Sequence, residues 1–594
     1  MRKIKITHQR LFILGVLHFL FMVSNYAQEK EEASFSYRES YFPLVSAHQD
    51  FQKEYETMPL DIYWGLWGHN LPKLISAENE TGELYALISD KRDKEQFCFS
   101  STGLKEILVE NIEKSKESYK YYMIAPNDNL LVCQCGLCIK NGNTLTNAAP
   151  AVFQLLDDLA EDYPSLHFFT TAYLSINQHP KEKPKENVGV FFSTINYQKG
   201  KPFNQIPQKN NLIEELEKWN TSVNNLFVWE YALNYDNYLD FYPNLKNFQQ
   251  NSKFLKAHHV NGIFVNGSES YSALQEIKCS VIASLLSDVN IDVDQLIQKE
   301  FKKRFPEDVA QSASEFYKNL TTIFFNSKEE MSIYSGIKDT KNKYLDYNQL
   351  EEFYLKMLPL AKKHKNNLNT QALMLSTVFL KLELMRASGI KQNGYGIIEK
   401  KQVKLKPEVK KMLDYLNQLS LATGILTYNE QGSSISNYIN LWNKEIIQKD
   451  EKNYFLEKDF RILSKLDEGY NDKTILNDGS YGFLDYNTNW LINTLENLKI
   501  EIPISQISFG MGTISMGFLN DPKHDIFFPT EIELKNEGKL IKKIKIPAST
   551  QKEKKQISIP IFFKNYKNSL VIEVKRLENS SKKTATACDE IIIN

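Results

Sequence analysis

Three carboxyl groups of this chain stand directly after short apolar runs, beside amide or aromatic residues. The three segments are Asn127-Asp128-Asn129, Trp229-Glu230-Tyr231 and Asn266-Gly267-Ser268-Glu269. Aromatic faces stack on the C–H faces of sugar rings, while carboxylates and amides bind hydroxyl groups. Hydrolysis of a glycosidic bond also needs two carboxyl groups that face one bond. The pattern favours a carbohydrate site, although any one acid could instead be a helix cap or a loop charge.

The surroundings of each acid predict its role. Glu230 has the more aromatic neighbours, which favour a raised pKa and the role of general acid. Asp128, between two amides, is expected to stay ionised as base or nucleophile, with Glu269 in reserve. Residues expected to contact the substrate are His69, Trp64, Trp67, Asn127, Trp229 and Tyr231.

A group of cysteines follows Asp128 closely. Cys133, Cys135 and Cys138 form a C-x-C-x-x-C pattern, and Cys98 lies after the preceding predicted strand. This spacing fits either a structural zinc ion or disulfides. Either would stiffen the Asp128 loop, and a catalytic role for these thiols is disfavoured. No cofactor is required by the predicted chemistry.

Composition excludes several other classes of protein. The chain has 594 residues, with 72 Lys and Arg against 73 Asp and Glu, so its net charge is −1. A balanced charge gives no reason to expect nucleic acid as a partner. Neither G-x-S-x-G nor H-E-x-x-H occurs, so no serine-hydrolase or zinc-protease motif competes.

The first part of the chain alternates between predicted strands and helices, which favours a parallel β/α architecture. The predicted strands cover residues 61–68, 84–89, 121–126, 167–174, 188–195, 226–231 and 262–266. The size fits a (β/α)8-type, TIM-like barrel, whose chemistry lies at the carboxyl ends of the strands. Seven strands are one too few, so either 42–47 is an eighth strand or the barrel is incomplete.

The rest of the chain changes its pattern twice. Residues 271–450 show helical periodicity, and from about 459 short alternating runs predict an antiparallel β-sandwich. The expected organisation is a signal peptide over 1–27, the barrel over 28–300, a helical domain over 301–455 and the sandwich over 456–594.

The N-terminus has the order of a secretory signal peptide. Basic residues precede an apolar run over 11–23, which is too short to span a bilayer as a helix. We therefore expect export to the periplasm or the extracellular space, with no transmembrane segment in the mature chain.

The motifs of the first half resemble the family catalogued as domain of unknown function 4838. The segments that carry this resemblance are Trp64-Gly65-Leu66-Trp67-Gly68-His69, Phe97-Cys98-Phe99-Ser100, Pro126-Asn127-Asp128, Trp229-Glu230-Tyr231 and Gly262-Ile263-Phe264-Val265. That family is similar to barrel glycosidases, so the resemblance implies a carbohydrate-active enzyme with a glycan as its partner.

The C-terminal region resembles the start of a discoidin-type, galactose-binding-like domain. The residues concerned are Leu476-Asn477-Asp478-Gly479, Asp485-Tyr486 and Asn489-Trp490, followed by a predicted strand over 498–502. Such domains often bind sugars, although this one could instead only brace the helical region. The whole chain therefore suggests a glycoside hydrolase. The alternatives are a non-catalytic glycan-binding protein and a structural component of the cell envelope.

Overall fold

The computed structural model of the protein describes residues 32–327, 329–449, 451–507, 510–579 and 583–594. The predicted signal peptide lies outside the described residues. Within them, no helix is both long and apolar enough to cross a membrane.

The first part of the molecule is built on a sheet of seven parallel strands. The first nine strands of the chain are β1 (Tyr37–Tyr41), β2 (Trp64–Leu66), β3 (Tyr85–Ile88), β4 (Lys91–Phe97), β5 (Tyr121–Met123), β6 (His167–Ala172), β7 (Val188–Ser193), β8 (Asn225–Tyr231) and β9 (Gly262–Asn266). Strands β3 and β4 form a separate antiparallel hairpin, and the other seven pair in the order β1–β9–β8–β7–β6–β5–β2. The two edge strands therefore follow one another in the chain.

The sheet curls around a common interior. Each of its seven strands contributes a side chain to one buried cluster, namely Tyr37, Trp64, Met123, Phe169, Phe191, Phe227 and Phe264. Strands β1 and β2 are not paired by backbone hydrogen bonds, but the Trp64 indole donates to the Tyr37 hydroxyl at 3.0 Å. The predicted barrel-type α/β fold is confirmed, with seven parallel strands and an open seam between β1 and β2.

Two differences from the predicted strands have physical causes. Within the run over 42–47, Pro43–Ser46 form a helix rather than a strand, because Pro43 occupies its first turn, where a missing N–H costs nothing. The run over 84–89 lies in the β3–β4 hairpin, outside the barrel. The seventh barrel strand is β1. Its sequence, Tyr-Arg-Glu-Ser-Tyr, contains no apolar run, so the pattern did not predict a buried strand there.

Helices cover the outer face of the sheet and then form the middle of the molecule. In chain order they are α1 (Pro43–Ser46), α2 (Gln49–Tyr55), α3 (Leu60–Tyr63), α4 (Thr102–Ser115), α5 (Gly136–Asn141), α6 (Ala149–Asp162), α7 (Lys209–Ser222), α8 (Leu245–Ala257), α9 (Gln275–Ser287), α10 (Val293–Arg304), α11 (Glu307–Ser327), α12 (Ile337–Lys343), α13 (Tyr347–Lys363), α14 (Leu368–Ser388), α15 (Pro407–Thr423) and α16 (Ile435–Trp442). One continuous buried cluster runs from the outer barrel face through these helices. The helical region also holds a hairpin that the sequence pattern did not predict, β10 (Gly396–Glu399) with β11 (Gln402–Leu405).

The C-terminal region is the predicted antiparallel β-sandwich. Its strands are β12 (Arg461–Ile462), β13 (Leu491–Asn493), β14 (Leu498–Pro503), β15 (Met511–Asn520), β16 (Glu531–Asn536), β17 (Lys539–Lys545), β18 (Glu553–Phe562), β19 (Ser569–Lys575) and β20 (Thr586–Ile593). They form one sheet in the order β12–β14–β19–β16–β17 and another in the order β13–β20–β15–β18. The apolar inner faces of the two sheets form a core of their own.

Candidate active site at the barrel mouth

The upper part of the barrel interior is a layer of aromatic rings. Trp67, which follows β2, stacks on Trp229 of β8 with ring centroids 5.1 Å apart. Phe264 of β9 packs against both indoles, at 4.6 and 4.8 Å. Trp64 lies beneath them and is buried, so of the two predicted stacking residues only Trp67 is partly exposed. These rings form the aromatic floor of the barrel mouth.

Asp128 lies at the rim of this mouth, as the sequence predicted for a residue after a barrel strand. Its carboxylate is exposed and approaches the phenol of Tyr173, which follows β6. Burial and then the charge of Asp128 raise the pKa of Tyr173 above its ordinary value. A phenol beside a carboxyl group is a pair that can bind sugar hydroxyls.

Glu269 lies at another part of the rim, after β9. It is exposed, and its charge is the largest electrostatic influence on the half-buried Tyr41 at the end of β1. Burial first, and then the charges of Glu269, Asp61 and Glu39, raise the pKa of Tyr41. Glu269 also borders a mainly apolar cavity of about 390 Å³ that extends towards the helical region.

A third carboxylate comes from the helical region, and sequence reasoning missed it. Glu430 accepts a hydrogen bond from the Tyr334 hydroxyl at 3.2 Å. The Tyr334 ring packs against Tyr235, which follows β8 in the chain. Neither residue follows a barrel strand. Backbone hydrogen bonds hold both segments against the barrel, because the Tyr235 carbonyl accepts from the Glu430 N–H and the Tyr235 N–H donates to the Ile333 carbonyl.

Glu230 does not face the mouth. Side chains alternate along β8, so that Phe227 and Trp229 point into the barrel while Leu226, Val228 and Glu230 point towards the surrounding helices. The Glu230 carboxylate is buried and lies 2.5 Å from the Lys199 ammonium group. Thr194 donates a further hydrogen bond to it at 2.9 Å. The structure therefore does not bring Glu230 together with Asp128 and Glu269.

The remaining predicted contact residues divide between the mouth and its supports. The Nδ1 atom of the half-buried His69 is hydrogen-bonded to the Pro126 carbonyl. The Tyr231 hydroxyl lies 3.1 Å from the Ser193 hydroxyl. Asn127 instead ties the Asp128 loop to β4, because its side chain donates to the Glu95 carbonyl at 2.8 Å.

The four predicted cysteines converge beneath the Asp128 loop. Cys98, Cys133, Cys135 and Cys138 are buried free thiols whose sulfur atoms all lie within 4.8 Å of one another. The Cys98 sulfur is 3.6 Å from that of Cys135 and 3.8 Å from that of Cys138. Backbone N–H groups of Leu87 and Cys138 donate to the sulfurs of Cys133 and Cys135. This group of four thiols could hold a metal ion.

The fold and this site define a parallel β/α-barrel protein with carboxylates and aromatic rings at the carboxyl ends of its strands. The family model for domain of unknown function 4838 matches residues 20–318, and the chain belongs to that family. No curated protein matches the sequence.

Solved structures of low identity are also similar. One is a family 138 glycoside hydrolase that targets pectin rhamnogalacturonan II, at 8% identity and a TM-score of 0.34, with 94% of this chain and 86% of that chain covered. Another is a fucose-binding module from Streptococcus pneumoniae, at 13% identity and a TM-score of 0.18, with 24% of this chain and 98% of that chain covered.

Proposed function

We propose that the protein is an exported glycoside hydrolase whose glycan substrate binds at the barrel mouth. The observation that carries this proposal is the arrangement of Asp128, Glu269 and Glu430 around the Trp67–Trp229 floor, with tyrosine hydroxyls beside each acid. Such a surface offers a stacking face and several hydroxyl-binding groups at once. Export rests on the basic and apolar order of the first 27 residues, and sequencing the N-terminus of the mature protein tests it.

Because Asp128 and Glu269 are exposed and Glu230 is buried, they suit different roles. Asp128 and Glu269 can meet a substrate and are the candidates for base or nucleophile. Glu230 is compensated by Lys199 and faces the helices, which favours a supporting role for it. The geometry therefore does not support the role of general acid that the sequence predicted for Glu230.

Product release from a panel of polysaccharides and 4-nitrophenyl glycosides tests the proposal. Asp128→Asn and Glu269→Gln should each lower turnover, by at least ~10²-fold for whichever residue takes part in proton transfer. Glu110→Gln, an exposed acid on α4, is the matched control and should leave turnover unchanged. Normal turnover in both mouth variants would contradict the proposed site.

A non-catalytic glycan-binding protein is the second candidate function. The exposure of all three mouth carboxylates favours it, since exposed acids bind hydroxyls without needing the raised pKa of a general acid. The same panel distinguishes the two functions. If the wild-type protein binds a glycan but releases no product, the glycan-binding function replaces the enzymatic one.

We also propose that the four-cysteine group holds a structural zinc ion. In a tetrahedral site with Zn–S bonds of about 2.3 Å, the sulfurs lie about 3.8 Å apart, close to the 3.6 and 3.8 Å separations around Cys98. N–H donors to Cys133 and Cys135 would stabilise thiolates. The ion would fasten the Asp128 loop to the end of β4.

Metal analysis of the purified protein tests the zinc proposal. We expect about one zinc per chain, its loss in Cys135→Ser, and its retention in Cys279→Ser, which changes a buried free thiol outside the group. Four freely titrating thiols without metal would contradict it, as would disulfides among these residues.

A further inference from the structure

A fourth acid, Glu39 on β1, faces the barrel interior. Its neighbours two residues away, Tyr37 and Tyr41, both pack in the interior cluster, while Ser40 lies against Cys279 of α9 on the outer face. In the sheet, Glu39 pairs with Phe264, which in turn pairs with Trp229. Because paired residues share a face, Glu39 lies in the same layer as the aromatic floor of the mouth.

The Glu39 carboxyl group is buried without compensation. The residue is 1% exposed, and its Oε2 atom has no hydrogen-bond partner in the part of the chain that the structure describes. Burying an ionised carboxylate without a partner is costly, so such a group stays protonated. Burial, and then the charge of Asp61, raise the pKa of Glu39 to about 8. Glu39 therefore carries its proton at neutral pH.

Among the described residues, no cation contributes to the pKa of the Glu39 carboxyl group. Tyr37 and Tyr41 face it on its own strand, Asp61 approaches from the segment before β2, and Cys279 lies behind β1 on α9. The one charge that acts on its pKa, that of Asp61, is negative, while the cation Arg304 acts on Cys279 on the outer face. These surroundings match those of a carboxylic acid that can donate a proton near neutral pH.

The open seam of the barrel gives access to this acid. A cavity of about 260 Å³ lies at the seam between β1 and the segment before β2, and its lining includes Glu39, Tyr41 and Asp61. Tyr41, which lines this cavity, also lies close enough to Glu269 at the rim of the mouth for the Glu269 charge to raise its pKa. A substrate oxygen that enters between Tyr41 and Asp61 would meet a protonated carboxyl group.

We propose that Glu39 is the general acid of the glycosidase reaction, with Glu269 as the ionised carboxylate across Tyr41. This inference rests on the proposed function. As the bond between the anomeric carbon and the leaving oxygen breaks, the Glu39 proton passes to that oxygen. A water oxygen bonds to the anomeric carbon, and Glu269 takes the proton that the water loses. The products are two hydroxyl-ended sugars, and the proton returns from Glu269 to Glu39 through solvent.

The test compares Glu39→Gln, Glu39→Asp and the surface control Glu110→Gln on two kinds of substrate. On the polysaccharide that the wild type cleaves, Glu39→Gln should lose at least ~10²-fold in turnover. On the matching 4-nitrophenyl glycoside the loss should be much smaller, because the acidic leaving phenol needs no proton. Glu39→Asp, which keeps an acid, should retain more turnover on the polysaccharide than Glu39→Gln.

The pH dependence gives a second readout. Turnover of the wild type should fall as pH rises through about 8, where Glu39 loses its proton. Asp61→Asn removes the negative charge that helps to keep that proton, so it should move this fall to lower pH. Glu39→Gln with near wild-type turnover on the polysaccharide would overturn the inference, as would an equal loss on both substrates. A wild type that cleaves nothing on the panel would instead overturn the proposed function.

Discussion

Two buried acids of the C-terminal region, Asp589 and Glu573, are paired with lysines, whereas Glu39 of the barrel is not. In the C-terminal region, Asp589 of β20 lies 2.6 Å from the Lys554 ammonium group, which also lies 3.0 Å from Glu445. Glu573 of β19 accepts hydrogen bonds from Lys535 and Lys575. In the barrel, no cation among the described residues contributes to the pKa of Glu39, and one of its oxygens has no hydrogen-bond partner among them.

This difference separates structural acids from a functional one. The partner of a paired buried acid offsets the cost of desolvating it. Such a pair therefore indicates a structural role and gives no evidence of a function. An unpaired one lowers stability and is kept where it does something else, which is why strongly perturbed acids in cavities are functional candidates. Glu230, paired with Lys199, follows the pattern of the C-terminal region although it lies in the barrel.

The largest expected effect is on the pH dependence of stability in Glu39→Gln. Because the folded-state pKa is about 8 and the ordinary value is 4.5, the stability of the wild type is full below 4.5 and falls as pH rises to about 8. At about 1.36 kcal/mol per pKa unit, the loss approaches ~5 kcal/mol. Glutamine does not ionise, so this variant should be the more stable one at pH 8.

Chemical denaturation at pH 5 and pH 8, followed by tryptophan fluorescence, measures this effect. Four of the six tryptophans, Trp64, Trp67, Trp219 and Trp229, lie in the barrel, so the signal reports mainly on that part. Glu110→Gln should follow the wild type at both values. An unchanged pH dependence in Glu39→Gln would show that the Glu39 carboxyl is compensated after all, and the comparison with the C-terminal region would fail.

Removing a cation in the C-terminal region should lower the stability of the protein, whereas Glu39→Gln should raise it at pH 8. Lys554→Met leaves Asp589 and Glu445 buried without the ammonium group that they share. Breaking such a buried pair costs about 3–5 kcal/mol, because a buried charge is left uncompensated. Thermal unfolding at pH 7 measures the loss. Lys114→Met, in an exposed pair on α4, should change stability by less than about 0.5 kcal/mol, and an equal effect of both variants would contradict this reading.

Much of the fold could be predicted because apolar runs mark buried strands and helices. Strand β9 has the predicted bounds, and the predicted strand over 498–502 lies within β14. Strand β1 was missed because its three consecutive polar residues, Arg38, Glu39 and Ser40, are typical of a solvent-exposed segment. A polar residue inside a barrel is a functional exception to the periodic pattern, and a pattern cannot distinguish it from a surface residue.

The site was less predictable than the fold. Both faces of β8 are apolar, so its sequence does not reveal that Trp229 points inwards and Glu230 outwards. Glu430 and Tyr334 reach the mouth through tertiary contacts of the helical region, for which the sequence offers no local signal. Asp128 and Glu269 were found because the end of a parallel strand is itself a position that the sequence marks.

The smallest expected effect on stability is that of Glu573→Gln in the C-terminal region. Burial raises the pKa of Glu573, but hydrogen bonds from Lys535 and Lys575 outweigh it and lower the pKa to about 2. A lowered pKa contributes stability that is present above about 4.5 and lost as pH falls towards 2, the reverse of Glu39. Because its lysine partners reach solvent, Glu573→Gln should cost only about 1 kcal/mol at pH 7. That cost should shrink in denaturation measurements at pH 3. A cost that grew on acidification would mean that the lysines do not stabilise the ionised carboxylate, and Glu573 would then resemble Glu39, whose pKa is raised.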